Sequence, residues 1–216
     1  MRILRTELCI LLLTAAPLLR ADIIDRIAIT VANQVITESQ IEEEIRVTAF
    51  LNRGQVDLGA AARKDAAGRL IEQALIRREM ESSRYPVPEL SDTGGSLKTI
   101  EDMYPSAMAF HAALASYGIS EDDLTRRLWW QLTLLRFIDY RFRPAIRIPS
   151  SDVQAYYRQQ VSQWQQKGIN PIPTFEASRD QIEEILTQKQ IDLALDQWLQ
   201  DARKQVEINY LDRTLQ

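Results

Sequence analysis

The chain has 216 residues, 45% of them apolar and 26% charged, with a formal net charge of −4, which excludes wholesale disorder and a polytopic membrane protein. One histidine, His111, and one cysteine, Cys9, exclude a disulfide framework, a Cys/His zinc site and any multi-histidine metal centre. The acidic balance leaves no basic footprint for nucleic acid.

Arg2 and Arg5 precede an apolar run from Leu8 to Leu19, and Ala21 offers a small residue at a cleavage point. That is the pattern of a secretory signal peptide over residues 1–21. The run is shorter than the about 20 apolar residues of a membrane span, so no stable membrane insertion is expected once it is removed. Cleavage would take Cys9 with it, which excludes thiolate catalysis, and would leave residues 22–216 more acidic than the whole.

Ile27, Ile29 and Val31 alternate onto one face, and Val35-Ile36 follows Ala32-Asn33-Gln34, where Asn33 can accept a positive φ. This predicts a small hairpin. Thr37 with Gln40 forms a capping-box pattern, and Ile41, Ile45, Thr48 and Ala49 trace a helix that ends near Gly54. Its Glu42-Glu43-Glu44 run reads as a solvated acidic first turn favoured by the helix dipole. A second helix runs from Ala60 to about Ser83 on the spacing of Ala67, Leu70, Ile71, Ala74 and Leu75, and Tyr85-Pro-Val-Pro88 ends it. Residues 91–96 hold turn formers and predict no regular element. Their Gly-Gly-Ser-Leu-Lys-Thr run lacks the glycine a phosphate loop needs before its lysine.

Pro105 opens a short helix closed by Gly118 in the left-handed cap position. Ser120 then caps a strong helix that Pro144 stops. Leu124, Leu128, Leu132 and Leu135 form one apolar face of it, and Trp130, Leu134 and Phe137 a second. A helix apolar on two sides is either sandwiched in a core or shows one side to a transient partner. Ser150 or Ser151 caps the next helix, through Tyr156, Tyr157 and Trp164, and residues 168–173 are a Pro-rich linker. From Ser178 to about Gln205 one helix spans roughly 42 Å. Its apolar face drifts from Ile182 and Ile185 to Ile191, Leu195 and Trp198, so its two ends pack on different partners. Val206, Ile208 and Tyr210 alternate as a terminal strand, and the hairpin is the sheet available to it. The two ends of the mature chain therefore meet.

The order of these segments resembles the SurA family of periplasmic chaperones and peptidyl-prolyl isomerases. The resemblance rests on the hairpin Ile27-Ala-Ile-Thr-Val-Ala-Asn-Gln-Val-Ile36, on Arg69-Leu-Ile-Glu-Gln-Ala-Leu-Ile76, on Tyr117-Gly-Ile-Ser-Glu-Asp-Asp-Leu124, on Ile148-Pro-Ser-Ser-Asp-Val153, and on Ile208-Asn-Tyr-Leu-Asp212. It implies a mainly α fold with a small β-sheet made by the N-terminal hairpin and the C-terminal strand. Residues 22–147 would form the chaperone module and 148–170 a helix and linker. Residues 171–216 would fold back on the first module. Isomerase members carry a parvulin domain of roughly a hundred residues before the last helix; here about a dozen residues separate the last two helices, and His111 lies in the wrong module.

The resemblance thus implies a chaperone body without its isomerase insert: a periplasmic, ATP-independent holdase for unfolded or nascent exported polypeptides, outer-membrane proteins included, with no cofactor, no metal and no catalytic residue. The client-contact candidates are Trp129, Trp130, Leu134 and Phe137 on the second face of the long helix. If that face packs the terminal helix instead, Tyr156, Tyr157 and Trp164 take the role. A peptidyl-prolyl isomerase, and an assembly partner dedicated to one folded protein, are the alternatives. A homodimer is also open, because the terminal helix can dock on its own module or on a second copy. His111 reads as a surface residue, and Arg77-Arg78, Asp122-Asp123 and Glu183-Glu184 as solvated faces, since adjacent helical residues point about 100° apart.

Overall fold

The computed structural model describes residues 25–83 and 85–216, so the expected leader lies outside the described residues. Strands β1 (Ile27–Val31), β2 (Gln34–Thr37) and β3 (Ile208–Tyr210) form an antiparallel sheet in the order β2-β1-β3. The two ends of this region do meet, with Ile29 opposite Tyr210 and Val31 opposite Ile208. Two details differ from the sequence reading. The register shifts between Ile27 and Ile29, which buries Ala28, Ile29 and Val31 and leaves Ile27 48% exposed. The positive φ of the turn, 52°, falls on Ala32, whose N–H donates to the Glu207 carbonyl at 2.9 Å; pairing with the C-terminal segment holds a conformation that an alanine alone disfavours.

Seven α-helices follow among the described residues: α1 (Glu38–Leu51), α2 (Ala60–Ser83), α3 (Gly94–Glu101), α4 (Ala107–Tyr117), α5 (Glu121–Arg141), α6 (Ser150–Gln166) and α7 (Phe175–Gln205). Their starts follow local chemistry. Thr37 and Gln40 close the capping box of α1, Ser120 and Asp123 that of α5, and Ser106 caps α4. Gly118 ends α4 at φ 68°, a left-handed conformation that favours glycine. Pro149 occupies the N-cap position of α6 without a side-chain bond, and Ser150 and Ser151 sit inside the helix. Helix α7 begins earlier than its apolar spacing indicated, because Thr174 accepts from the Ala177 N–H at 3.3 Å.

Residues 91–96 are the main correction. They form a 3-10 turn, Leu90–Thr93, and the first turn of α3. Local propensity is poor, but α5 supplies the ordering. Trp129 Nε1 donates to the Pro88 carbonyl at 2.9 Å, and Arg136 reaches Asp92 at 2.7 Å. Thr93 is buried, with its hydroxyl on the Leu90 carbonyl at 2.7 Å.

Three apolar clusters result. The first packs the sheet on α1 and α2 through Ile29, Ile36, Ile41, Ile71 and Leu75, closed by Leu215 from the C-terminal turn. The second joins α1, α4 and α5 through Phe50, Phe110, Leu114, Leu124 and Leu128. The third joins α2, α5 and α7 through Ile76, Trp130, Phe137 and Ile191. Helix α5 thus needs its two apolar faces in succession, the first half in the second cluster and the second half in the third. Helix α7 has 31 residues, roughly 46 Å. Its C-terminal half packs on the body through Ala194, Leu195, Trp198 and Leu199, and its N-terminal half pairs with α6. Only residues 167–174 link α6 to α7, so no parvulin domain is inserted there.

Burial works against ionisation of Asp123, but hydrogen bonds from the Ser120 N–H and hydroxyl, with Arg126 alongside, outweigh it and hold the carboxyl below its ordinary value. Asp212 is lowered by hydrogen bonds from Thr214. A carboxyl depressed in the folded state contributes stability above its unfolded pKa and loses it as pH falls through the folded one. Melting temperature should therefore fall as pH drops below about 4, and Asp123→Asn should flatten part of that decline in a pH series of thermal melts.

Candidate functional site

Trp130 and Phe137 do not form an open face. Trp130 is 6% exposed and Phe137 fully buried, because α7 lies across that side of α5. Phe137 packs against Tyr85, Phe142 and Trp198 with ring centroids 5.3, 5.7 and 5.4 Å away. Trp129 is half-buried and tied to Pro88, and Leu134 is half-buried beside Leu195 and Leu199. As contact residues for a partner, Trp130 and Phe137 are therefore corrected to core residues. Exposed apolar groups on α5 lie elsewhere, at Leu135 and Tyr140.

The other three candidates lie together on the α6–α7 pair. Tyr157 meets Trp164 at 6.1 Å and Phe175 at 5.4 Å, both edge-on, and its hydroxyl donates to the Pro173 carbonyl at 2.8 Å. All three rings are half-buried, and exposed Ile169 follows on the connecting turn. Tyr156, also half-buried, faces Lys189, whose ammonium lies 5.5 Å from the ring. None of these rings belongs to the three apolar clusters. Phe175 is absent from the candidates because apolar spacing starts the helix at Ser178, three residues later than observed; the Thr174 cap is the signal that places it on a helix.

A cleft of about 360 Å³ opens between β2, α1, α2 and α5. Its floor is an ion-pair network that the sequence reading took for a solvated acidic turn. Glu44 is 7% exposed and accepts from Arg69 Nε at 2.7 Å, from Arg127 Nη1, and from the Thr48 hydroxyl at 3.3 Å. Glu42 pairs with Arg46 at 3.1 Å, and Glu43 with Arg126 at 3.1 Å. Glu44 alone of the run is drawn inward, because α5 and α2 present Arg127 and Arg69 to the face of α1 that carries it, while Glu42 and Glu43 stay partly exposed. Removing the charge with Glu44→Gln would leave two clustered arginines without their counter-ion. We expect a loss of about 2–3 kcal/mol, read from urea midpoints. His111 is exposed, with Nδ1 3.8 Å from Glu121, and no group of three or more His, Cys, Asp or Glu among the described residues is placed to hold a metal.

No family model and no curated protein matches the sequence. Among solved structures, the chain is similar to one from Campylobacter jejuni, from work describing the virulence factor PEB4 and the periplasmic protein Cj1289 as two structurally related SurA-like chaperones. The TM-score is 0.51 at 12% identity, covering 87% of this chain and 99% of that one. The fold is that of a SurA-like chaperone.

Proposed function

We propose that the chain is an ATP-independent holdase that works in the periplasm and shields unfolded exported polypeptides, outer-membrane proteins among them. The fold supports a chaperone role in general, and one observation carries the finer reading: the half-buried cluster of Tyr157, Trp164 and Phe175 on the α6–α7 pair, which stands outside the three apolar clusters. Aromatic rings offer large contact area at low entropic cost and suit many partners. These rings stand outside the core, so a client can use them without unfolding the body. No helix among the described residues is long and apolar enough to cross a membrane.

The double substitution Tyr157→Ala with Trp164→Ala should weaken binding of a fluorescent unfolded polypeptide by about fivefold, with little change in melting temperature. Unaltered affinity would remove the cluster from the binding surface. The reading makes the protein a binder without a catalytic centre; acceleration of a proline-limited refolding reaction by the purified chain would assign it an isomerase activity instead.

A further inference from the structure

Helix α6, which carries two rings of the aromatic cluster, is composed unlike a solvated helix. Of its 17 residues only Asp152 and Arg158 are charged, although 26% of the chain is. Its partner serves as an internal control: the N-terminal half of α7 holds Glu176, Arg179, Asp180, Glu183, Glu184 and Lys189. Both helices are largely exposed, so exposure alone does not account for the difference. Contact surfaces are depleted in charge and enriched in aromatic rings, and α6 has Tyr156, Tyr157 and Trp164.

Where charge is missing, glutamine stands. The helix has six, and none of their amides hydrogen-bonds another protein group among the described residues; the side-chain bonds of α6 come from Ser151, Tyr157 and Ser162. Gln154 lies three residues before Tyr157, and Gln160 three after it and four before Trp164, a spacing that sets the four side chains in one row. Gln154 is exposed and Gln160 half-buried. The Tyr157 hydroxyl is taken by the Pro173 carbonyl, so the amides are the polar groups this row leaves to a ligand. An amide both donates and accepts, as a peptide group does, and it gives up water at less cost than a charge. The row runs about 15 Å along the helix, the length of roughly four residues of extended chain.

We propose that this row binds extended, uncharged stretches of polypeptide by their backbone: Gln154 and Gln160 exchange hydrogen bonds with main-chain N–H and C=O groups, and apolar side chains rest on Tyr157 and Trp164. The inference rests on the holdase reading and specifies how its site chooses a client. Unsatisfied backbone is what an unfolded chain offers and a folded one does not, and hydrogen bonding to it is indifferent to side-chain sequence.

Isothermal titration calorimetry on the purified chain tests this with a capped, uncharged decapeptide of leucine, serine and threonine. Its affinity should change by less than about twofold between roughly 0.05 and 0.5 M salt, and glutamate or lysine in place of its serines should bring no gain. Methylating alternate backbone nitrogens removes donors and keeps the side chains, and should weaken binding about tenfold. Gln154→Ala with Gln160→Ala should weaken the plain peptide about fivefold and the methylated one far less, with the melting temperature unaltered. Equal affinity for the plain and methylated peptides, a steep fall with salt, or a gain from either charge would overturn the proposal. So would a dimer in sedimentation that the double variant abolishes, since the row would then belong to a second copy. Aggregation suppression on the same proteins separates the two readings. A chain that suppresses aggregation but ignores backbone methylation loses only this inference, and one that discriminates the peptides without suppressing aggregation loses only the holdase.

Discussion

Phe137→Ala should cost about 4 kcal/mol and lower the melting temperature by many degrees. The ring is fully buried and touches residues from three directions: Tyr85 after α2, Phe142 at the end of α5, and Trp198 on α7. Because those neighbours are themselves packed in the cluster of α2, α5 and α7, they have little room to close the space. The cost should sit near the upper part of the range for a large aromatic, transfer and cavity together. The same substitution distinguishes core from surface. If Phe137 were part of a client surface, stability would barely change and client affinity would fall; burial predicts the opposite order. Leu135→Ala is the matched control, since Leu135 lies on the same helix at 58% exposure, and it should leave stability within about 0.5 kcal/mol.

Deleting residues 206–216 should cost about 5 kcal/mol. Three losses coincide. Leu215, 5% exposed, leaves the cluster of β1, α1 and α2. Strand β3 leaves β1, which becomes an open edge. The Ala28 carbonyl loses the Leu211 and Asp212 N–H groups, at 2.9 and 3.1 Å, and Ala32 loses the Glu207 carbonyl. Without that last bond the positive φ at Ala32 has less to hold it. Hydrogen exchange should show lost protection in β1 and the first turn of α1 while α6 is unaffected. Uniform loss over the whole chain would instead mean that the three clusters unfold as one unit.

How much of this was legible in the sequence depended on whether the signal was local. The capping box at Thr37, the cap at Ser120, the left-handed Gly118 and the terminal strand were all written in neighbouring residues, and each was readable. The turn at Ala32 and the helix from Gly94 were not, because the segments that order them, Glu207 for the one and Trp129 and Arg136 on α5 for the other, lie far along the chain. The site divides in the same way. Periodicity showed that α5 has two apolar faces, but not that α7 covers the second. The Glu42-Glu43-Glu44 run carries no mark of the arginines that fold over it from α2 and α5. Arg77 was read as one of a solvated pair for the same reason; its companion in space is Trp130, not Arg78.

The central claim, that the chain holds unfolded polypeptides without ATP, is tested most directly by light scattering from a denatured outer-membrane protein diluted into buffer. The account predicts that the purified chain, without nucleotide, suppresses the scattering in proportion to its concentration, and that Tyr157→Ala with Trp164→Ala weakens the effect. Scattering unchanged by a several-fold excess of the chain would contradict it.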